Sequence, residues 1–310
     1  MFIIGNGFDL YHDIKSSYAD FYEWLIKHNS SDFVKDMESM FPTLKDGKPL
    51  LWQDFEEAIG RGNPLKIHQD FFHGMDDGLF DKEIQNRVLK HIKPTLEEIP
   101  ILLKEWAKSL LENVKEIRPI PGLIEVGWGS LFLTFNYTML LENVYLVPEE
   151  QILHIHNSIE QEKPIITGHR QPISEDQEDS SSVNVEYSAK HIAKALNGLY
   201  KPVEFIIKEH RDFFDSLSNI TNVIVFGFSI SSIDRDYFNE VFHHVHDNAK
   251  WFFISKDEEN REFHMKLVDG YNDFLKKEIG GSRYYRKMKQ ENCQYVIADN
   301  ELKFTRISTV

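Results

Sequence analysis

The residue types that could do chemistry gather in a few short stretches. Asn136, within Leu133-Thr134-Phe135-Asn136-Tyr137-Thr138, carries a donor and an acceptor in one amide, so it can orient a water or a hydroxyl group. Equally, it can cap the helix that follows. Leu153-His154-Ile155-His156-Asn157 places two imidazoles two residues apart, which strand alternation puts on one face. Imidazole titrates near neutrality, so a histidine at this strand end suits a general base, while at least one of the pair could equally be a buried, hydrogen-bonded structural residue. Two histidines could also ligate a metal, but nothing adjoining completes a ligand set, and no metal is expected.

Glycine turns supply the second kind of site. In Ile4-Gly5-Asn6-Gly7-Phe8-Asp9 an apolar run stops at two glycines. Free backbone N–H groups there could hold a phosphate, although a plain strand-to-helix turn reads the same way. Val225-Phe226-Gly227-Phe228-Ser229, followed by Asp234, Tyr237 and Phe238, repeats the logic. Gly227 would let a ligand approach the backbone, and the Ser229 hydroxyl could bond a ribose or phosphate. Ser255-Lys256-Asp257 closes a further apolar run and could meet an adenosine, and Gly168-His169 ends another. Two clusters imitate sites. His243, His244 and His246 share a helix whose apolar face is Tyr237, Val241, Phe242 and Val245, which leaves the imidazoles solvated. Glu56 and Glu57 stand in the first turn of a helix, where acids favour its dipole.

These residues need elements to hold them. Apolar runs rich in Val, Ile and Phe recur at Phe2–Ile4, Ser130–Phe135, Ile152–Ile155, Pro164–Thr167, Val223–Phe226, Trp251–Ile254 and Gln294–Ala298. Runs with little polar alternation are what strands buried on both faces look like. Helical stretches between them predict an α/β fold with a Rossmann-like open, mostly parallel sheet. The chain reads as a single domain over 1–310, with a helical insertion over 11–120. Ile99, Leu102, Leu103, Trp106, Leu110 and Val114 keep three-four spacing within that insertion. The acidic, serine-rich segment 170–187 is expected to be a mobile loop.

Charge and cysteine content narrow the function classes. Lys plus Arg total 35 against 50 for Asp plus Glu, a net charge of −15. So acidic a chain is a poor match for a nucleic-acid backbone. The basic and aromatic segment from Arg283 to Lys289 reads as solvated surface. One cysteine, Cys293, excludes internal disulfides and any four-cysteine zinc site, and suits a reducing compartment. No run approaches the roughly 20 apolar residues that cross a bilayer, and no signal peptide is visible, so the cytoplasm is the expected location.

Taken as an ordered set, the motifs resemble the AbiH family of bacteriophage abortive-infection proteins. They comprise Ile-Gly-Asn-Gly-Phe-Asp at 4–9, Trp52 to Glu56, Phe-Asn-Tyr-Thr at 135–138 and His-Ile-His at 154–156. Gly168-His169, Gly-Phe-Ser at 227–229, Asp234 and Tyr237-Phe238 complete them. That family is in turn similar to the sirtuin-type NAD-binding fold. The resemblance implies that Asn136 and His156 are catalytic, with NAD as substrate. It implies a cofactor-binding set of Gly5, Asn6, Gly7, Phe8, Asp9, Thr134, Tyr137, Gly227, Phe228, Ser229, Asp234 and Ser255. The chain departs from sirtuins at Asn157, where they usually have glycine, and in lacking their four zinc cysteines, which argues against protein deacetylation. The expectation is a defence effector that cleaves the nicotinamide glycosidic bond of NAD. Its partners would be NAD or a related nucleotide, a phage-derived trigger and further copies of itself. The alternative is a module that senses a nucleotide, or binds protein, without turnover.

Overall fold

The computed structural model describes residues 1–72, 86, 88–114, 116–120, 124, 130–175, 183–279 and 288–297. The chain divides into two compact units. One comprises Met1–Lys15, Lys108–Glu160 and Val203–Val310, and the other Ser16–Ala107 and Gln161–Pro202.

The first unit is built on a six-stranded sheet of β1 (Phe2–Ile4), β4 (Phe132–Thr134), β5 (Ile152–His154), β6 (Asn222–Phe226), β7 (Lys250–Ser255) and β8 (Cys293–Ile297). Strands β2 (Leu44–Lys45) and β3 (Lys48–Pro49) form a separate hairpin in the other unit. All pairings in the six-stranded sheet are parallel and the order is β5-β4-β1-β6-β7-β8. The winding therefore runs outward from β1 on one side and reverses at β6, the arrangement of a Rossmann-like open sheet. Central strands of such a sheet are covered on both faces, and β1 and β4 are accordingly buried at every position. Phe2 stacks on Phe132 with ring centroids 4.6 Å apart, tying β1 to β4 through side chains as well as the ladder.

Register fixes what stands along the carboxyl edge. Ile4 pairs with Thr134 and with Phe226, and Phe226 pairs with Ile254. The next residue of each strand, Phe135, Gly5, Gly227 and Ser255, therefore falls in one row. Helix Asn6–Tyr11 begins directly after β1, with Gly5 at its N-cap. Helix Arg235–His244 buries Tyr237, Phe238, Val241 and Phe242. His243 and His246 are exposed, and His244 faces Asp215 and Glu240 at 3.3 and 3.4 Å.

In the second unit, Ser17 and Asp20 form a reciprocal cap that starts helix Tyr18–Lys27. Phe21 packs against Trp106, Trp52 and Phe55 with centroids 5.1 to 6.4 Å apart. The apolar face predicted around Trp106 is helical, within Lys93–Val114. One expectation is corrected here and another is extended. Pro164–Thr167 is not a strand: Thr167 Oγ1 and Gly168 N donate to the Glu56 carboxylate at 3.3 and 3.0 Å, where a ladder would have supplied backbone partners. Glu56 stands in the first turn of its helix as expected, but the dipole is not its only partner. It is buried and pairs at 2.8 Å with Lys201 Nζ, which is wholly inaccessible, while Asp54 caps the helix.

Of the segment 170–187, residues 176–182 lie outside the described residues. Asn197 holds both the N–H and the carbonyl of Ile173, and helix Val183–Asn197 covers the far end. Most of the basic segment, 283–287, also lies outside them, as does Ala298. Among the described residues no helix is long and apolar enough to cross a membrane.

Candidate functional site

The reversal between β1 and β6 is where an open sheet leaves a crevice, and both glycine turns sit there. They touch. A Cβ on Gly5 would lie 2.4 Å from Gly227 O, and one on Gly227 would lie 2.3 Å from Phe8 N. Gly227 also has φ of +65°, a conformation that L side chains adopt only with strain. Closeness consumes the backbone donors. Gly5 N donates to Phe226 O at 2.9 Å, Gly7 N to Gly227 O at 3.0 Å and Phe8 N to Gly5 O at 2.9 Å. The phosphate-holding role expected of the Gly5 and Gly7 amides is therefore taken by the protein's own carbonyls.

A buried polar cluster lies beside this contact. Asn136 Nδ2 donates to Asp9 Oδ1 at 2.8 Å and to Gly5 O at 3.2 Å, and its own N–H donates to Thr134 Oγ1 at 3.2 Å. The next helix starts at Leu140 with Met139 as N-cap, so Asn136 is not its cap. Asn136 Oδ1 is buried and has no hydrogen-bond partner among the described residues. Asp9 accepts a second bond from Thr138 Oγ1 at 2.7 Å. Burial pushes its carboxyl up from 3.8 to about 6, against the pull of those two bonds.

The two histidines part company here. Strand β5 ends at His154, so His156 lies beyond it in a turn and the expected strand alternation does not relate them. His154 Nδ1 meets Asn136 O at 3.1 Å and its Nε2 meets Glu142 Oε1 at 2.7 Å. Both ring nitrogens are thus occupied by acceptors, which marks His154 as a structural brace. His156 Nε2 meets Asp234 Oδ1 at 3.3 Å, so a carboxylate stands beside this imidazole too. Asn157 has φ of +62°, so it adopts the left-handed conformation that a glycine would otherwise supply. Phe135 stacks on Phe228 at 4.3 Å and meets His156 edge-on at 5.4 Å.

On the β6–β7 side a cavity of about 330 Å³ opens at the strand ends. Gly7, Gly227, Phe228, Ser229 and Ser255 line it, and so do Tyr11, Lys256 and His264. Ser255 Oγ is 2.7 Å from His264 Nδ1, and burial holds that imidazole below its usual range.

The predicted binding residues therefore fall into groups. Five line the cavity. Asp9, Thr134 and Asn136 form the polar cluster, and Asp234 backs His156. The rest are elsewhere: Gly5 O accepts from Asn136 Nδ2, Phe8 is inaccessible and packs on Phe226 and His12 at 5.3 and 4.6 Å, and Asn6 is exposed. Tyr137 contributes its carbonyl to Ile159 N at 3.1 Å. Sequence reasoning missed Glu142 and His264, whose only local signal is a polar residue on a helix. Among the described residues no group of three or more His, Cys, Asp or Glu gathers as a metal site.

A family model described as "Bacteriophage abortive infection AbiH" matches residues 1–255. No curated protein and no solved structure matches the chain.

Proposed function

Because the chain belongs to the AbiH family of bacteriophage abortive-infection proteins, we propose that it acts in abortive infection by binding NAD across the carboxyl edge of its sheet and cleaving the bond between nicotinamide and ribose. One observation carries this reading: the two sides of the winding reversal are differently equipped. The β6–β7 side offers a cavity wide enough for a nucleoside, and the β4–β5 side offers Asn136 and His156. A dinucleotide laid over a switch point puts one half on each side.

The chemistry follows from the groups present. Asp9 and Gly5 O hold the Asn136 amide by its nitrogen, which leaves Oδ1 to accept from the attacking water or a ribose hydroxyl. As the carbon–nitrogen bond breaks, its electron pair neutralises the pyridinium and nicotinamide departs. The water oxygen bonds the anomeric carbon, and His156 takes the released proton. Asp234 stabilises the imidazolium that results. A positioned base of this kind contributes about 10²–10⁴-fold in rate.

Incubation of the purified protein with NAD, with nicotinamide release followed, tests the proposal. Turnover should vanish in His156→Ala and Asn136→Ala and persist in folded His154→Ala. A second reading, binding without turnover, is favoured by the burial of Asn136 and His156, 7% and 3% exposed, and by their absence from the cavity wall. Saturable NAD binding with no nicotinamide released, with or without phage lysate as trigger, would establish it in place of cleavage.

A further inference from the structure

The end of β7 departs from what a plain ribose requires. Gly227 and Ser255 stand side by side, because Phe226 pairs with Ile254. In dinucleotide folds the strand beside the glycine turn commonly ends in a carboxylate that accepts from the ribose hydroxyls. Here that position is Ser255, followed by Lys256, and among the described residues no Asp or Glu lines the cavity.

Resting on the nucleotide reading above, we propose that this cavity takes the adenosine end of a nucleotide whose ribose carries a phosphate, so that NADP or a similarly phosphorylated nucleotide is bound in preference to NAD. Ser255 is 1% exposed and its hydroxyl is fixed by His264 at 2.7 Å, so the pair is a built feature and not a loose surface group. With its proton on Nδ1, a neutral His264 would donate to Ser255 Oγ and leave the hydroxyl proton to turn toward the ligand. Together with the Lys256 ammonium this makes a pole of donors. Phosphate oxygens only accept, so they match it, whereas a free diol would find no carboxylate for its own protons. Leu10 and Phe263, 43% and 47% exposed, flank the cavity with Tyr11 as apolar surface for the base. Asp257, Glu258 and Glu259 follow on the chain but do not line the cavity, and Arg261 Nε pairs with Glu258 at 2.8 Å.

Calorimetric titration of the full chain with adenosine 5′-monophosphate, adenosine 2′,5′-bisphosphate, NAD and NADP tests the proposal. The bisphosphate should bind about tenfold more tightly than the monophosphate, and NADP than NAD, with the advantage weakening as salt rises. Lys256→Ala should abolish most of that advantage and Ser255→Ala part of it. Equal affinities, or an advantage unchanged in Lys256→Ala, would overturn the phosphate preference and leave the nucleotide reading intact. Failure of all four compounds to bind would overturn both.

Discussion

Replacing Asp9 by Asn gives the sharpest test of the buried cluster. The carboxyl has its folded pKa raised from 3.8 to about 6 by burial, so the folded state keeps its proton to higher pH than the unfolded chain. As pH rises through that window the unfolded state ionises first, and stability is lost. The cost is absent below about 3.8 and complete above about 6, where it amounts to ~3 kcal/mol. With those two values, roughly half of the loss falls between about pH 5 and pH 8. An asparagine has no charge to desolvate. Its carbonyl can accept from Asn136 Nδ2, and its amide can donate to Thr138 once that hydroxyl rotates, so both existing contacts survive. Asp9→Asn should therefore match or exceed the wild type at pH 8, and its advantage should shrink by about 1 kcal/mol on acidification to about pH 5. Urea unfolding of both proteins across this range, followed by circular dichroism, reads the difference directly. Parallel stability curves for the two proteins would refute the reasoning, because they would mean that Asp9 ionises alike in both states.

Other substitutions probe the remaining contacts. Gly227→Ala places a Cβ 2.3 Å from Phe8 N at a φ of +65°, so the variant should lose at least about 3 kcal/mol or fail to fold, and an unchanged melting temperature would contradict the packing of the two turns. Lys201→Met strands the Glu56 carboxylate and should cost about 3–5 kcal/mol, whereas adding Glu56→Gln should recover part of it in a double-mutant cycle. His154→Ala leaves Glu142 without its 2.7 Å partner, and a thermal melt at neutral pH should show a loss of about 2–4 kcal/mol.

What was legible from the chain alone follows from local rules. A strand covered on both faces must be apolar throughout, so Phe2–Ile4, Val223–Phe226 and Trp251–Ile254 announced themselves as strands. The three-four spacing around Trp106 announced a helix for the same reason. Pro164–Thr167 satisfies the strand rule equally well and is not a strand, because a run becomes a strand only if another lies beside it. The position of Asn136 at a strand end was visible. Its choice between capping a helix and facing a crevice rested with Asp9, 127 residues away. Likewise His154 and His156 look alike in sequence and differ through Glu142 and Asp234, and Glu56 took its meaning from Lys201. Gly5, Gly7 and Gly227 read as turns, yet whether their amides face a ligand or each other depends on how two loops over 200 residues apart meet. Backbone periodicity is set by neighbours along the chain, whereas a buried donor or acceptor is satisfied by whatever the fold brings within 3 Å or so, and that choice belongs to the tertiary structure.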